Sequence, residues 1–240
     1  MPNQYFQFKQ FTVRQDQCAM KVCTDACIQG AFTAAYLQAG GRPIQRVLDI
    51  GTGTGLLSLM LAQQIPAAIT AIELDAAAAA QAGANFSASP WSDRLTVTPS
   101  DIRDLPPAAL YDFIITNPPF YEGSLKSSDE QRNAAMHATS LSYRELLQAI
   151  AAHLQQDGQF SVLLPYAAFQ SFRELAAAAG FYPLQILEVK QSVRHDRFRA
   201  VGIFGRAMSQ PLISSLTIYE AGNVYTPAFI ALLKPYYLYL

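Results

Sequence analysis

The feature that most constrains the fold is a short apolar run that ends in glycines and continues into an apolar helix. Arg46–Ile50 (RVLDI) is typical of a buried strand. Gly55–Gln64 has the pattern of a helix that ends before a proline. A strand that turns tightly into a helix is the first half of a βαβ unit, and such units build a parallel sheet covered by helices.

The rest of the chain repeats this alternation. Further strands are predicted at Ile69–Leu74, Arg94–Thr98, Tyr111–Thr116, Gly158–Leu164, Pro183–Val189, Phe198–Phe204 and Leu216–Tyr219, with helices at 75–85, Tyr143–Leu154 and Arg173–Ala179. We therefore predict one doubly wound α/β domain over residues 1–240, with a mainly parallel sheet in a core at 45–240. The β-rich tail is expected to close one edge of that sheet.

Composition excludes several classes of protein. Apolar residues make up 51% of the chain and charged residues 15%, the opposite of a disordered chain. No apolar stretch reaches the ~20 residues of a membrane span, and no signal peptide is visible, so we expect a cytoplasmic protein. Cys18, Cys23 and Cys27 have no fourth ligand nearby, so we expect no metal site.

Ligands in such sheets bind beyond the carboxyl ends of the strands, so the residues that follow each strand are the candidates. After the first strand, Gly51, Gly53 and Gly55 let the backbone approach a ligand closely. A dinucleotide fingerprint requires a small residue at position 56, where this chain has leucine. With Asp49 ahead of it, the turn favours a ligand without a pyrophosphate, and a plain tight turn is the alternative.

Acidic residues follow the next two strands. Glu73 lies 22 residues beyond Gly51, a position from which a carboxylate accepts hydrogen bonds from ribose hydroxyls. Asp101 would accept from an adenine amino group while Ile102 packs on the ring. The alternatives are a carboxylate at a helix N-terminus for Glu73 and a helix cap for Asp101.

The fourth strand ends in the tetrapeptide NPPF. Pro118 and Pro119 fix the backbone and remove two N–H donors. The amide oxygen of Asn117 and the carbonyl of Pro118 then remain as rigid acceptors, with Phe120 beside them as a stacking surface. Acceptors next to an aromatic ring suit a planar amino group whose nitrogen acts as a nucleophile, although Asn-Pro alone often marks only a turn.

These motifs resemble a known family. Asp49–Gly55 resembles the first motif of class I S-adenosylmethionine-dependent methyltransferases, and NPPF resembles the signature of those that methylate planar amino nitrogens. The chain is similar over nearly its whole length to bacterial tRNA1(Val) adenine-37 N6-methyltransferases, in the segments FKQFTVRQDQCAMKVCTDACIQGAF, SASPWSDRLTV and YTPAFIALLKPYYLYL. Cys23 and Ala26 stand where that family has glycines.

The resemblance implies a Rossmann-like, seven-stranded sheet with an antiparallel C-terminal edge, and a segment 1–44 that covers the cofactor pocket. It implies that S-adenosylmethionine is the cofactor and that an adenine of tRNA is the substrate. The cofactor residues would be Lys21, Thr24, Asp25, Asp49, Gly51, Gly53, Gly55, Glu73, Leu74, Asp101, Ile102 and Asn117. The catalytic residues would be Asn117, Pro118, Pro119 and Phe120, with Phe120 and Tyr121 stacking on an adenine turned out of its stack.

A basic run supports RNA as the substrate. Lys190–Arg206 carries five basic residues against Asp196, a local charge of +4, and we expect Arg194, Arg197 and Arg199 to contact RNA. A solvated strand pair at the sheet edge is the alternative. The polar segment 122–140 is expected to order over the target base, and the protein to be a monomer or weak dimer.

Other substrates and functions remain open from the residues alone. Another adenine in RNA, guanine N2 or a glutamine side chain of a protein would suit the same acceptors. Since only about 45 residues precede the first strand, we expect none of the accessory domains that usually accompany glutamine, DNA and guanine-N2 methyltransferases. A non-catalytic RNA-binding module would have no chemical need for the intact NPPF motif, and Leu56 argues against an oxidoreductase.

Overall fold

The computed structural model describes residues 3–18, 20–106, 110–119 and 141–240, apart from the side chain of Asn223. Within these ranges ten strands are present: β1 (Tyr5–Gln7), β2 (Thr12–Arg14), β3 (Arg46–Ile50), β4 (Ala68–Glu73), β5 (Leu95–Pro99), β6 (Tyr111–Thr116), β7 (Leu154–Pro165), β8 (Tyr182–Ser192), β9 (Arg197–Gly205) and β10 (Leu212–Tyr219). The α-helices there are α1 (Thr24–Ala39), α2 (Leu56–Gln64), α3 (Ala76–Ser87), α4 (Tyr143–His153), α5 (Tyr166–Ala178) and α6 (Pro227–Leu233).

The main sheet confirms the predicted doubly wound α/β architecture. Its strand order is β10-β8-β9-β7-β6-β3-β4-β5, and β3 pairs in parallel with both β4 and β6. Only β9 runs against its neighbours, since it is antiparallel to β7 and to β8. The carboxyl ends of β3, β4, β5 and β6 therefore lie at one edge of the sheet.

The tail differs from the expected seven-stranded sheet in one respect. The described residues form eight strands in this sheet, because β10 adds in parallel to β8 and buries Leu216 and Ile218 against the core. The antiparallel pairing expected at the C-terminal edge is formed by β9 with β8 and β7, and β9 is the third strand from that edge.

Helix α1 has no counterpart among the elements predicted from the sequence. It has almost no amphipathic character, because residues 26–31 are buried on every side of the helix where it packs against α2, α6 and β7, whereas Ala35, Gln38 and Ala39 near its end are exposed. Gly30 allows the close contact with α2, since a Cβ there would lie 2.7 Å from Sδ of Met60. A helix that is buried on every side lacks the polar stripe by which periodicity is recognised.

Two apolar layers cover the sheet. One contains the buried side chains of α1, α2, α3 and α6, and the other contains those of α4 and α5. Helix α5 begins at Tyr166, seven residues before the predicted Arg173, and follows directly after Pro165 at the end of β7. In the described part of the chain, no helix is long and apolar enough to cross a membrane.

Candidate cofactor and substrate site

A cavity of about 370 Å³ opens at the carboxyl ends of β3, β4, β5 and β6. Its walls include predicted site residues from all four strand ends, namely Gly51, Gly53, Glu73, Leu74, Asp101, Ile102, Asn117, Pro118 and Pro119. A further wall is formed by the segment before α1, with Lys21 among its residues. The structure therefore brings together side chains that lie almost 100 positions apart in the sequence.

The glycine turn between β3 and α2 provides the floor of the cavity. Gly51, Gly53 and Gly55 all have positive φ, at 72°, 56° and 83°. Gly55 lies outside the cavity wall and has a packing role, because a Cβ there would lie 2.5 Å from Cε1 of Phe86. Any larger residue at this position would have to displace α3 from the start of α2.

Asp49 lies beneath the turn and not in the cavity wall. It is fully buried, and its Oδ2 accepts hydrogen bonds from Thr52 Oγ1 at 2.6 Å and Ser58 Oγ at 2.7 Å. Oδ1 has no hydrogen-bond partner among the described residues. Burial raises the pKa of Asp49 to about 6, and the nearby charge of Glu73 adds to this. The carboxylate thus fastens the glycine turn to α2.

The raised pKa of Asp49 predicts a pH-dependent stability. Between pH 3.8 and about 6 the folded protein holds a proton that the unfolded chain has lost, so the contribution of Asp49 to the free energy of unfolding decreases as the pH rises through this window. We expect the stability of the wild type relative to Asp49→Asn to fall between pH 4 and pH 7 by up to about 3 kcal/mol, at about 1.4 kcal/mol per pKa unit.

Urea unfolding at several pH values would measure this difference. Asp157→Asn is the matched control, because that carboxylate is 72% exposed, and its pH profile should run parallel to that of the wild type. If the Asp49→Asn profile also ran parallel to the wild type, the titration assigned to Asp49 would be wrong.

Glu73 joins β4 to the glycine turn. Its Oε2 accepts from the backbone N–H of Gly53 at 2.8 Å, and its Oε1 accepts from the N–H of Asp75 at 3.0 Å. A carboxylate offers about four acceptor positions, so two remain for a ligand in the cavity. Glu73 therefore both shapes the turn and offers acceptors to hydroxyl groups.

Asp101 is held by a neighbour that the sequence analysis did not identify. Arg103 Nε lies 3.0 Å from both carboxylate oxygens of Asp101, and Nη2 lies 2.6 Å from Oδ2. These hydrogen bonds lower the pKa of Asp101 and keep its carboxylate ionised. Arg103 also donates to Glu145 at 3.2 Å, which connects this side of the cavity to the first turn of α4.

Asn117 follows directly on a strand end that is anchored from two sides. Thr116 Oγ1 donates to the carbonyl of Ile50 at 3.0 Å, and Gln29 Nε2 donates to the carbonyl of Thr116 at 2.9 Å. Asn117 Oδ1 is buried and has no hydrogen-bond partner among the described residues. A buried amide oxygen without a partner is costly, and here it lies in a cavity wall where a donor from a ligand could satisfy it.

Comparison with known proteins agrees with this geometry. Residues 33–182 match the methyltransferase small domain. A tRNA1(Val) (adenine(37)-N6)-methyltransferase of Dyadobacter fermentans is 45% identical, and the alignment covers 98% of each chain. An enzyme of the same name from Phocaeicola vulgatus is 40% identical over 99% of each chain. The chain belongs to this family. It is thus a methyltransferase, and its cofactor is S-adenosylmethionine.

Solved structures share the fold at low sequence identity. A predicted O-methyltransferase from Agrobacterium tumefaciens superimposes with a TM-score of 0.65 at 19% identity, covering 88% of this chain and 96% of the other. A glycopeptide N-methyltransferase complexed with S-adenosylmethionine has a TM-score of 0.52 at 16% identity, covering 74% of this chain and 94% of the other. These likenesses show the class I methyltransferase fold.

Only some of the remaining predicted residues of this methyltransferase line the cavity. Thr24 and Asp25 lie in the first turn of α1 and do not line it, whereas Lys21 does. Phe120 and Tyr121, together with the segment 122–140, lie outside the described residues. Cys18 and Met20 also line the cavity. The sequence analysis did not identify them as site residues, and only their position next to the KVCTD segment could have indicated that role.

The predicted basic surface is partly neutralised by acidic partners. Arg197 donates to Glu188, and Arg199 Nε donates to Asp25 Oδ2 at 2.8 Å. Arg194 is exposed in the turn between β8 and β9. These acidic partners offset part of the +4 charge of the segment, so the net positive charge of the folded surface around it is lower. In the part of the chain that is described, no group of three or more His, Cys, Asp or Glu residues is arranged to hold a metal.

Proposed function

We propose that this enzyme methylates N6 of an adenine in tRNA, at position 37 beside the anticodon of tRNA1(Val). The observation that carries the proposal is the buried, unpartnered Oδ1 of Asn117 at the cavity wall, next to Pro118 and Pro119. The curated relatives bear the name of this activity over nearly the full length of both chains. We also propose that residues 1–240 act as one methyltransferase domain in the cytoplasm, as a monomer or weak dimer.

The cavity residues suit S-adenosylmethionine in charge and hydrogen bonding. Glu73 would accept from the ribose hydroxyls with the acceptor positions that Gly53 and Asp75 leave free. Asp101 would accept from the adenine amino group, and the buried side chain of Ile102 would pack against the ring. When bound, S-adenosylmethionine supplies an electrophilic methyl group.

Asn117 and Pro118 would hold the target nitrogen. The amide oxygen of Asn117 and the carbonyl of Pro118 accept the two hydrogens of an exocyclic amino group, which fixes the direction of the nitrogen lone pair. Because Thr116 is anchored by Ile50 and Gln29, these acceptors are placed before a substrate arrives. Such preorganisation and alignment are the main contributions of a protein to a direct group transfer. Phe120 and Tyr121 stay predicted stacking partners of the base.

The basic hairpin between β8 and β9 would contact the tRNA backbone. Pro165, at the carboxyl end of β7, pairs with Arg199, and β7 lies next to β6 in the sheet. The hairpin therefore lies at the carboxyl ends of β6 and β7, the same end of the sheet as Asn117. Arg194 at its tip is exposed and is the best placed of the predicted arginines to reach a phosphate.

The test is methyl transfer from labelled S-adenosylmethionine to total RNA that lacks this modification, with a protein fraction in parallel. We expect the label in N6-methyladenosine of the tRNA fraction, and at position 37 of tRNA1(Val) when the tRNA is digested and sequenced. Label in a protein glutamine or in N2-methylguanosine would contradict the proposed substrate. Cofactor binding without any label would favour a non-catalytic RNA-binding module.

A further inference from the structure

Two residues for which the sequence suggested separate ligands are bound to each other. Arg199 Nε donates to Asp25 Oδ2 at 2.8 Å across 174 positions of the chain. Their side chains are 26% and 14% exposed, so the pair is largely shielded from water. A shielded ion pair that includes a hydrogen bond is stronger than an exposed one, and the loss of one partner leaves a poorly solvated charge.

The aspartate is attached to the cofactor side of the cavity. Asp25 lies in the first turn of α1, and its Oδ1 also accepts from the backbone N–H of Ala26 at 3.1 Å. The segment 20–23 and Ala26 line the cavity. Cys23, the N-cap residue, makes no capping hydrogen bond with its side chain, and its thiol instead hydrogen-bonds to Asp25, which ties the aspartate to a residue of the cavity wall. A shift of Asp25 would therefore also shift the neighbouring residues that line the cavity.

The arginine is attached to the other half of the sheet. Arg199 pairs in register with Pro165 on β7 and with Val189 on β8. Its guanidinium also donates to the carbonyl of Phe198 at 3.1 Å and lies 5.2 Å from the centre of that ring. Since β7 pairs with β6, the strand that ends just before Asn117, the ion pair joins the first turn of α1 to the part of the sheet next to the proposed target-binding residues.

We propose that Asp25 and Arg199 form a positioning pair that holds the wall 20–26 in place for cofactor binding, and that neither side chain binds the cofactor or the RNA itself. The proposal deepens the proposed function of the same site and rests on it for the identity of the two ligands. It differs from the sequence-based expectation, in which Asp25 binds the cofactor and Arg199 binds the tRNA independently.

A double-mutant cycle separates the two explanations. The variants are Asp25→Ala, Arg199→Met and the double variant, and the measurement is the dissociation constant for S-adenosylhomocysteine by calorimetry. We expect each single variant to weaken binding about tenfold and the double variant to be no weaker than either, because one shared contact has been removed. Independent contributions that multiply in the double variant would overturn the proposal, as would singles with unchanged affinity.

Two further variants test whether a loss of affinity results from misfolding and not from the loss of the ion pair. Arg199→Lys keeps the charge but loses the planar guanidinium that also contacts Phe198, so its affinity should lie between those of the wild type and Arg199→Met. Asp157→Asn breaks the exposed 3.0 Å pair with Arg42 and should leave cofactor affinity unchanged. Thermal unfolding of every variant would show that the differences arise in folded protein.

The salt dependence of tRNA binding provides the second readout. If Arg199 contacted a phosphate, Arg199→Met would reduce the slope of log K against log salt by about one. We expect that reduction for Arg194→Gln and an unchanged slope for Arg199→Met. A reduced slope for Arg199→Met would overturn the positioning role. Because the calorimetric cycle uses the cofactor product alone, its outcome does not depend on whether tRNA is the correct substrate.

Discussion

Asn117→Ala is expected to lower the rate of methyl transfer about 10³-fold, the effect of removing a preorganised hydrogen-bonding group from an active site. The amide oxygen of Asn117 is buried without a partner and follows the doubly anchored Thr116. Without this oxygen, the target nitrogen loses the acceptor that orients it. Affinity for S-adenosylhomocysteine should stay within about threefold, because Glu73, Asp101 and the glycine turn are unchanged.

Single-turnover kinetics with saturating cofactor would measure the rate, and calorimetry the affinity. Asn117→Gln is the matched control, because it keeps the amide but displaces it by one methylene group. A displacement of about 1 Å costs on the order of 10²-fold, so this variant should fall between the wild type and Asn117→Ala. Turnover of Asn117→Ala within tenfold of the wild type would refute the role of Asn117.

Glu73→Ala is expected to weaken the binding of S-adenosylhomocysteine by about 10²–10³-fold, since each hydrogen bond to a charged group contributes about 1.5–3 kcal/mol. Two effects combine in this variant. The proposed ribose acceptors disappear, and the backbone N–H groups of Gly53 and Asp75 lose the carboxylate that holds them at 2.8 and 3.0 Å. The glycine turn should then become less ordered around the cofactor.

Asp75→Asn is the control for Glu73→Ala. Asp75 is a carboxylate two residues away in the same cavity wall, but its Oδ1 is engaged as the cap of α3, where it accepts from the N–H groups of Ala77 and Ala78. Asparagine is an equally good N-cap, so this variant should bind the cofactor product within about threefold of the wild type. Equal losses in the two variants would show that general negative charge, rather than the placement of Glu73, matters for binding.

The part of the cavity wall that lies at the strand ends could be predicted from the sequence, because its residues directly follow predicted strands. Glu73, Asp101 and Asn117 are each adjacent to a short apolar run, and the parallel order of the strands brings their carboxyl ends to one edge. Arg103 could have been recognised as a partner of Asp101 two positions away, since such a pair is local. Its second contact, with Glu145, depends on where α4 packs and has no local signature.

The sequence by itself determined the alternation of strands and helices, the glycine turn and the acceptors at the strand ends, because these depend on short-range periodicity and backbone preference. Only the tertiary structure decided that Asp49 lies beneath the cavity, that the first half of α1 is buried on all sides, and that Asp25 meets Arg199. The burial of α1 and the Asp25–Arg199 pair arise from contacts between residues far apart in the chain, and Asp49 is buried because β3 lies between β4 and β6. Such contacts leave no periodic trace in the sequence, since either partner alone is compatible with an exposed position.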